Sequence, residues 1–211
     1  MGGPARAFLR DNGLTIALST LFVLTIVAMG LTGWKAHDAF LEEHGRAPTG
    51  LLSYLGSGDF VSAVFENWES EFLQMAAYVI LTAFLFQRGS AESRDPDSEE
   101  DAPNTPPPSG FASFLRAYSL GCALAGLFIA SFVLHLWGSA RAAAAEAALH
   151  GDPQHSLLAH LGDMEFWFES FQNWQSEFLA TAVLVVLSIV LRFRGSPESK
   201  HVDASNAETG R

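Results

Sequence analysis

The amino-acid sequence predicts an all-α integral membrane protein with four transmembrane helices, arranged as two parallel two-span repeats. Two observations predict this class: an uneven distribution of charge, and an internal similarity at a constant offset of 106 residues. Only 17% of the 211 residues are charged, against about 25% in soluble proteins. The shortage is confined to four segments without Asp, Glu, Lys or Arg, at residues 13–34, 72–87, 118–140 and 178–191. The four charge-free segments therefore suit a lipid environment, and the rest of the chain suits water.

Residues 13–34 and 118–140 are long enough to span a bilayer, because a hydrocarbon core of about 30 Å needs roughly 20 helical residues. Arg6 and Arg10, before the first segment, also fit the start of a secretory signal peptide. The apolar run that follows them exceeds the roughly 7–15 residues of a signal core. We therefore expect the first segment to be retained as a transmembrane helix.

Residues 72–87 and 178–191 are shorter, but each continues a run of aromatic residues with helical spacing. We expect interfacial helices at about 60–71 and 166–177 in the outside loops, each running into the span that follows. Trp68 and Trp174 lie in these runs, and tryptophan is enriched at the depth of the lipid headgroups.

Lys and Arg indicate the orientation, because they accumulate on the cytoplasmic side of membrane proteins. Nine of the twelve lie near the N-terminus, in the central linker or near the C-terminus: Arg6, Arg10, Arg88, Arg94, Arg116, Arg192, Arg194, Lys200 and Arg211. We expect the N- and C-termini in the cytoplasm, residues of about 35–71 and 141–177 outside, and a location in the cytoplasmic (inner) membrane of a bacterium.

The two halves of the chain repeat a polar motif as well as apolar segments. Residues 65–73 read FENWESEFL, and residues 171–179 read FQNWQSEFL. The same offset of 106 relates the Arg-Gly-Ser triplets at 88–90 and 194–196. Since each half holds an even number of spans, both halves have the same orientation and a pseudo-two-fold axis along the membrane normal.

The repeat defines the domain organisation. We expect repeat 1 at residues 1–88, an acidic, proline-rich, disordered cytoplasmic linker at 89–113, repeat 2 at 114–194 and a polar C-terminal tail at 195–211. The linker composition, with five prolines and an acidic run at 95–101, is typical of segments that bury no core.

The chain resembles a family of small bacterial multi-pass membrane proteins that is known as a domain of unknown function. The resemblance rests on the duplicated Asn-Trp-x-Ser-Glu-Phe-Leu and Arg-Gly-Ser-x-Glu-Ser motifs, with an upstream Gly33-Trp34 and Glu43-His44-Gly45 in the first half. It implies a membrane protein but no activity or catalytic residue. The second half departs from the pattern, with Ala140 in place of Trp34 and Leu149 in place of Glu43.

The candidate functional residues are the polar members of the repeated motif, which are Asn67, Trp68, Ser70, Glu71, Asn173, Trp174, Ser176 and Glu177. In each copy the Asn and the second Glu are four residues apart and share one helical face. Glu71 and Glu177 meeting across the pseudo-two-fold axis would make a proton or cation site, because ionisable groups at membrane depth are often functional. The alternative, which the sequence favours, is that these carboxylates stabilise the first turns of the membrane helices and stay hydrated.

Histidines raise a second question, because five of the seven lie in the predicted outside loops. Their spacing reproduces no recognised zinc motif, so we predict no metal site. His135 lies inside an apolar segment, where it corresponds to Met29 in the first half. Haem ligation by these two residues is one interpretation, and hydrogen bonding to a neighbouring helix is the more usual one. We predict no cofactor.

The sequence predicts a non-enzymatic scaffold or accessory subunit of unknown activity. The expected partners are the lipid bilayer and a membrane protein or a second copy of the chain. The net charge of −11 disfavours nucleic acid. The alternative function is a small ion, proton or solute transporter that uses Glu71 and Glu177.

Overall fold

The computed structural model describes residues 4–98, 107–151 and 156–210, with no side chain described for Pro4 or Ala5. Within these residues all regular structure is helical, which confirms the all-α class. The helices are α1 (Pro4–Glu43), α2 (Leu51–Leu55), α3 (Gly58–Phe84), α4 (Phe111–Ala117), α5 (Ser119–His150), α6 (Leu157–His160) and α7 (Met164–Val190).

Three helices are long and apolar enough to cross a membrane: Arg6–Glu43 within α1, and the whole of α5 and α7. They contain the predicted span at 13–34 and all but one terminal residue of those at 118–140 and 178–191. The fourth predicted span, at 72–87, lies mostly in α3, which has 27 residues but is not among the three. At the positions where α7 has Ala180 and Leu184, α3 has Gln74 and Tyr78, which lower its hydropathy.

Each predicted interfacial helix and the span that follows it form one uninterrupted helix. α3 begins after Ser57, whose side chain accepts a hydrogen bond from the Phe60 amide, and α7 begins after Asp163, which caps the Glu165 amide in the same way. Such caps satisfy amides that have no partner within the helix. The interfacial helices at 60–71 and 166–177 are therefore the first halves of α3 and α7, because nothing in either sequence ends the helix between the two parts.

α3 lies at the centre of the fold, antiparallel to α5 and parallel to α7. α3 and α5 come closest at Gly58 and Gly138. A Cβ atom on Gly138 would lie 2.5 Å from the backbone nitrogen of Ser62, and one on Gly58 would lie 2.6 Å from the Gly138 carbonyl oxygen. The crossing therefore requires glycine in both helices. Small residues that allow close packing are typical of membrane helix pairs.

α1 is attached to the rest of the fold at its C-terminal end. The Trp34 indole donates a hydrogen bond to the Thr49 carbonyl (2.7 Å), and Asp38 accepts one from the Thr49 amide (2.8 Å). Tyr54 of α2 packs against Phe60, with ring centroids 5.5 Å apart. Burial and the neighbouring Asp59 raise the pKa of Tyr54. These contacts bring α1 and α2 against the start of α3.

The turns that follow α3 and α7 have the same local structure. The Gln87 amide donates to Ser93 Oγ and the Phe193 amide donates to Ser199 Oγ, both over 2.9 Å. The glycines of the two Arg-Gly-Ser triplets have φ values of +83° and +85°, which favour glycine over other residues. The triplet thus recurs because both turns need a left-handed residue at the same place.

The C-terminal tail folds onto the first of these turns, and we call this part of the molecule (residues 85–98 and 191–210) the tail end. The Lys200 ammonium contacts four carbonyl oxygens, at 2.5 Å (Gly89), 2.9 Å (Glu208), 3.1 Å (Ser205) and 3.3 Å (Asn206). Lys200 is buried, so the tail is an integral part of the fold.

Part of the linker predicted at 89–113 also belongs to the fold. Ser90 is fully buried, and its hydroxyl lies 2.8 Å from that of Ser188 in α7. Arg88 forms an exposed ion pair with Asp97 (2.7 Å), whose hydrogen bond lowers the pKa of the Asp97 carboxyl. Residues 89–98 thus form packed turns, α4 begins at Phe111, and residues 99–106 lie outside the described residues.

Candidate functional site

A buried cluster of ionisable side chains lies where α3, α5 and α7 meet. His135 of α5 and Glu69 of α3 have completely buried side chains, and His135 Nδ1 lies 3.1 Å from Glu69 Oε2. His135 Nε2 lies 3.9 Å from Oε2 of Glu169 on α7, whose side chain is 39% exposed. Glu66 of α3 completes the cluster, because its carboxylate, His135 and Glu169 each have a ligand atom within 4.8 Å of the others.

Helix geometry explains why these residues meet. Glu66 and Glu69 are three residues apart and project from one face of α3, as Glu169 and Asn173, four apart, do from α7. His135 is three residues before Gly138, so the glycine crossing brings its part of α5 against α3. The cluster is thus assembled by the packing of three helices.

Neighbouring side chains fix the carboxylates. The Trp174 indole donates a hydrogen bond to Glu69 Oε1 over 3.1 Å, and the Asn173 amide donates one to Glu66 Oε1. The Phe166 ring, almost fully buried, lies 4.9 Å from the His135 ring between centroids. The apolar ring excludes water from one side of the imidazole.

The cluster has polar atoms that lack a well-directed hydrogen bond. Among the described residues these include both ring nitrogens of His135 and Oε2 of Glu69, all of them buried. A buried charge is costly unless it is paired or coordinates a metal ion. Glu66, His135 and Glu169 therefore offer three ligand atoms that a metal ion could use.

A line of polar side chains runs from the cluster along the interface between α3 and α7. Glu71 and Glu177 lie within electrostatic range of each other. One turn further, Gln74 Nε2 donates a hydrogen bond to Thr181 Oγ1 over 2.5 Å. Tyr78 then donates to Oε2 of Glu92 over 2.8 Å, at the tail end. Gln74, Thr181, Tyr78 and Glu92 all line a cavity of about 350 Å³.

The structure places two of the four candidate residues of the first copy, Asn67 and Glu71, on the surface of α3. Asn67 is exposed and donates to the Ala63 carbonyl of its own helix (2.9 Å). Trp68 packs against Phe22 of α1, with ring centroids 5.9 Å apart. Ser70 is buried and donates to the Asn67 carbonyl (2.8 Å), and Glu71 is exposed.

The second copy is used differently. Asn173 and Trp174 bind the carboxylates of α3, as described above, whereas Ser176 is exposed and donates to the Asn173 carbonyl (2.8 Å). Glu177 is half-buried and acts electrostatically on Glu71. The asparagines and tryptophans of the two copies have different partners.

The sequence prediction missed three carboxylates of the cluster, Glu66, Glu69 and Glu169. A signal for two of them exists in the repeat, because Glu66 and Glu69 correspond to Gln172 and Gln175. The motif is therefore acidic in one copy at positions where the other has neutral amides of the same shape. His135 faces carboxylates at both ring nitrogens, so its neighbours do not favour the haem interpretation with Met29.

The loop histidines of the described residues lie apart from this cluster. His160 shares a hydrogen bond with the Ser139 hydroxyl (2.8 Å), and His37 lies 3.9 Å from an Asp59 carboxylate oxygen. His44, just after α1, and His150, at the end of α5, each contact the backbone carbonyl four residues earlier. His155 lies outside the described residues.

Comparison with known proteins identifies the family. The model of a protein family described as a domain of unknown function (DUF6766) matches residues 5–211. The chain belongs to this family. The match confirms the resemblance to an uncharacterised family, and the helices described above make this DUF6766 chain a candidate membrane protein. No curated protein and no solved structure matches the chain.

Proposed function

We propose that this DUF6766 chain conducts protons or small monovalent cations across a membrane, along the interface between α3 and α7. The observation that carries the proposal is the series of polar side chains on one side of α3. Gln74 binds Thr181 and Tyr78 binds Glu92, and the Glu71 and Glu177 carboxylates act on each other electrostatically. Glu71, Gln74 and Tyr78 follow a spacing of three and four residues, which keeps them on one helical face.

This arrangement supports α3 as the fourth membrane span. Polar side chains inside a membrane face other helices or a water-filled cavity, because exposure to lipid is costly. Gln74, Tyr78 and Thr82 of α3 line the cavity of about 350 Å³, whereas Met75 and Ile80 are exposed. Four spans then form two parallel repeats, an arrangement that the matching turns after α3 and α7 support.

The proposed orientation places the tail end in the cytoplasm, because the turns after α3 and α7 carry Arg88, Arg94, Arg192 and Arg194. The cluster around His135 then lies near the outer side of a bacterial inner membrane. Its carboxylates attract cations from outside towards the entrance of the path.

The side chains along the path would have different roles in moving the ion. A proton or monovalent cation between Glu71 and Glu177 would relieve the repulsion of the two carboxylates. Water in the cavity that Gln74, Thr181 and Tyr78 line would carry the proton or hydrate the cation, and Glu92 would release it at the tail end. Series of ionisable side chains within the membrane are typical of proton pathways.

Reconstitution tests the proposal. Purified protein in liposomes with an internal pH dye should dissipate a pH gradient faster than empty liposomes, with valinomycin and K⁺ balancing the charge. The double variant Glu71→Gln/Glu177→Gln should return the rate to that of empty liposomes. Glu146→Gln is the matched control, because Glu146 is exposed on α5 and lies away from the path. A wild-type rate equal to that of empty liposomes would reject conduction of protons. Na⁺ and K⁺ flux equal to that of empty liposomes would reject conduction of monovalent cations as well.

Cysteine labelling tests the orientation independently. After Cys122→Ser, a membrane-impermeant maleimide should label Arg46→Cys and His150→Cys in intact cells. Ser98→Cys should be labelled only after lysis. Labelling of Ser98→Cys in intact cells would overturn the proposed topology.

The scaffold function predicted from the sequence is the second candidate. It is favoured by the exposed apolar surface of α1, where only 6% of the most apolar part is buried in the single chain. Lipid or a partner helix would cover this surface. Absence of flux together with a stoichiometric companion after mild detergent extraction would favour the scaffold.

A further inference from the structure

We propose that Glu66, His135 and Glu169 bind a divalent transition-metal ion. The inference deepens the proposed function by placing a cation at the outer end of the path, but binding itself requires no conduction. One imidazole nitrogen and two carboxylate oxygens lie within 4.8 Å of one another. Carboxylate and imidazole ligands from facing helices are the usual way in which helix bundles build metal sites.

The buried imidazole points to a ligand. His135 has a fully buried side chain, and its ring nitrogens lack a well-directed hydrogen bond among the described residues. Its Nε2 atom faces Oε2 of Glu169 at 3.9 Å, which is too long for a hydrogen bond and leaves a gap between them. Metal–ligand bonds of about 2.0–2.2 Å to nitrogen and oxygen would place an ion between such atoms after a small closure of the carboxylates.

The surroundings have the features of an outer coordination shell. A histidine that binds a metal through one ring nitrogen almost always presents the other to a carboxylate or carbonyl. Glu69 lies at that position, 3.1 Å from Nδ1, and is itself held by the Trp174 indole. The Asn173 amide holds Glu66. Two of the residues that orient the site therefore come from the second copy of the repeated motif.

Charge and access also favour a cation. Three acidic residues, Glu66, Asp163 and Glu165, act on Glu169 electrostatically. Negative charge therefore accumulates at this end of α7. Glu169 is 39% exposed, which provides a route for an ion from solvent to the buried imidazole. A mixed set of imidazole and carboxylate ligands suits Zn²⁺, Fe²⁺ and Mn²⁺ better than soft thiophilic ions.

Direct binding tests the site. The full chain, purified in detergent and freed of metal with EDTA, is titrated with Zn²⁺ by calorimetry and with Mn²⁺ by electron paramagnetic resonance. We expect one ion per chain. Glu66→Gln and Glu169→Gln should each weaken binding by at least roughly tenfold, and Glu69→Gln, at a positioning residue, by roughly 10- to 100-fold. Glu146→Gln should bind as the wild type does.

The outcomes are decisive even if one variant fails to fold, because Glu66 and Glu169 are both partly exposed and are replaced by an amide of the same shape. Circular dichroism and gel filtration confirm the fold before titration. No binding by the folded wild type, or binding by both glutamine variants that is as tight as that of the wild type, would overturn the proposal. Failure of binding with intact flux rejects the metal site alone, whereas failure of flux with intact binding rejects the conduction path alone.

Discussion

His135 Nδ1 lies 3.1 Å from Glu69 Oε2, and both side chains have no exposed surface. The two residues come from antiparallel helices that touch at Gly58 and Gly138. A buried ionisable pair of this kind contributes little net stability, but breaking it leaves a buried charge without a partner. The pair therefore makes the packing of α3 on α5 sensitive to changes at either residue.

We predict that His135→Leu destabilises the protein by about 3–5 kcal/mol, because the Glu69 carboxylate then stays buried without the imidazole beside it. The measurement is reversible unfolding in detergent, followed by circular dichroism. The double variant His135→Leu/Glu69→Leu should recover part of the loss, since no charge remains to be buried. Equal stability of the single variant and the wild type would show that the pair is not buried as described.

The glycine crossing gives a second prediction. Gly138→Ala should lower stability by about 1–3 kcal/mol, because overpacking forces helices apart and the added Cβ atom would lie 2.5 Å from the Ser62 nitrogen. Gly126→Ala is the matched control in the same helix, since a Cβ atom there meets nothing within 4 Å. It should leave stability unchanged or raise it slightly, as alanine favours helix over glycine. Thermal unfolding of both variants in one detergent decides between these outcomes.

The tail gives a third prediction. Lys200→Met should release residues 195–210 from the turn that follows α3, because four carbonyl oxygens lose their donor. The expected cost is about 1–3 kcal/mol for each buried acceptor that water does not satisfy. Limited proteolysis of the purified protein should cut the tail faster in this variant. Arg194→Met, an exposed residue of the same tail, should show the wild-type cleavage rate, and equal cleavage of all three proteins would contradict the role of Lys200.

Metal ions should modulate conduction if both proposals hold. Zn²⁺ added outside should slow proton flux, because an ion held by Glu66, His135 and Glu169 adds positive charge at the outer end of the path. EDTA should restore the flux, and Glu169→Gln should need a higher Zn²⁺ concentration for the same inhibition. Inhibition at equal Zn²⁺ concentration in wild type and Glu169→Gln would place the inhibitory ion elsewhere.

The helices could be predicted from the sequence because their signal is local. Charge-free segments of sufficient length identify α1 and α5, and the repeat identifies α3 and α7 together with the two matching turns. The prediction described an interfacial and a spanning part of α3 and of α7 because hydropathy changes midway, and it expected each interfacial part to run into the span that follows, as it does in both helices.

The buried cluster could not be predicted because it depends on the rotation and crossing of three helices. Spacing places Glu66 and Glu69 on one face of α3, but it does not reveal that His135 of α5 faces them. The burial of Lys200 is equally non-local, since its nearest acceptor, the Gly89 carbonyl, lies 111 residues earlier in the chain.

The central claim is a proton path between α3 and α7, and proton flux in variants of Gln74 and of Met75 tests it most directly. The two residues are neighbours in α3, but their side chains point in different directions. Gln74 binds Thr181 inside the α3–α7 interface, whereas Met75 is exposed at 44%. Gln74→Leu should slow flux in liposomes by roughly tenfold or more, since an added barrier of about 1.4 kcal/mol suffices for that, and Met75→Leu should leave it unchanged. Equal flux in both folded variants would contradict a path between α3 and α7.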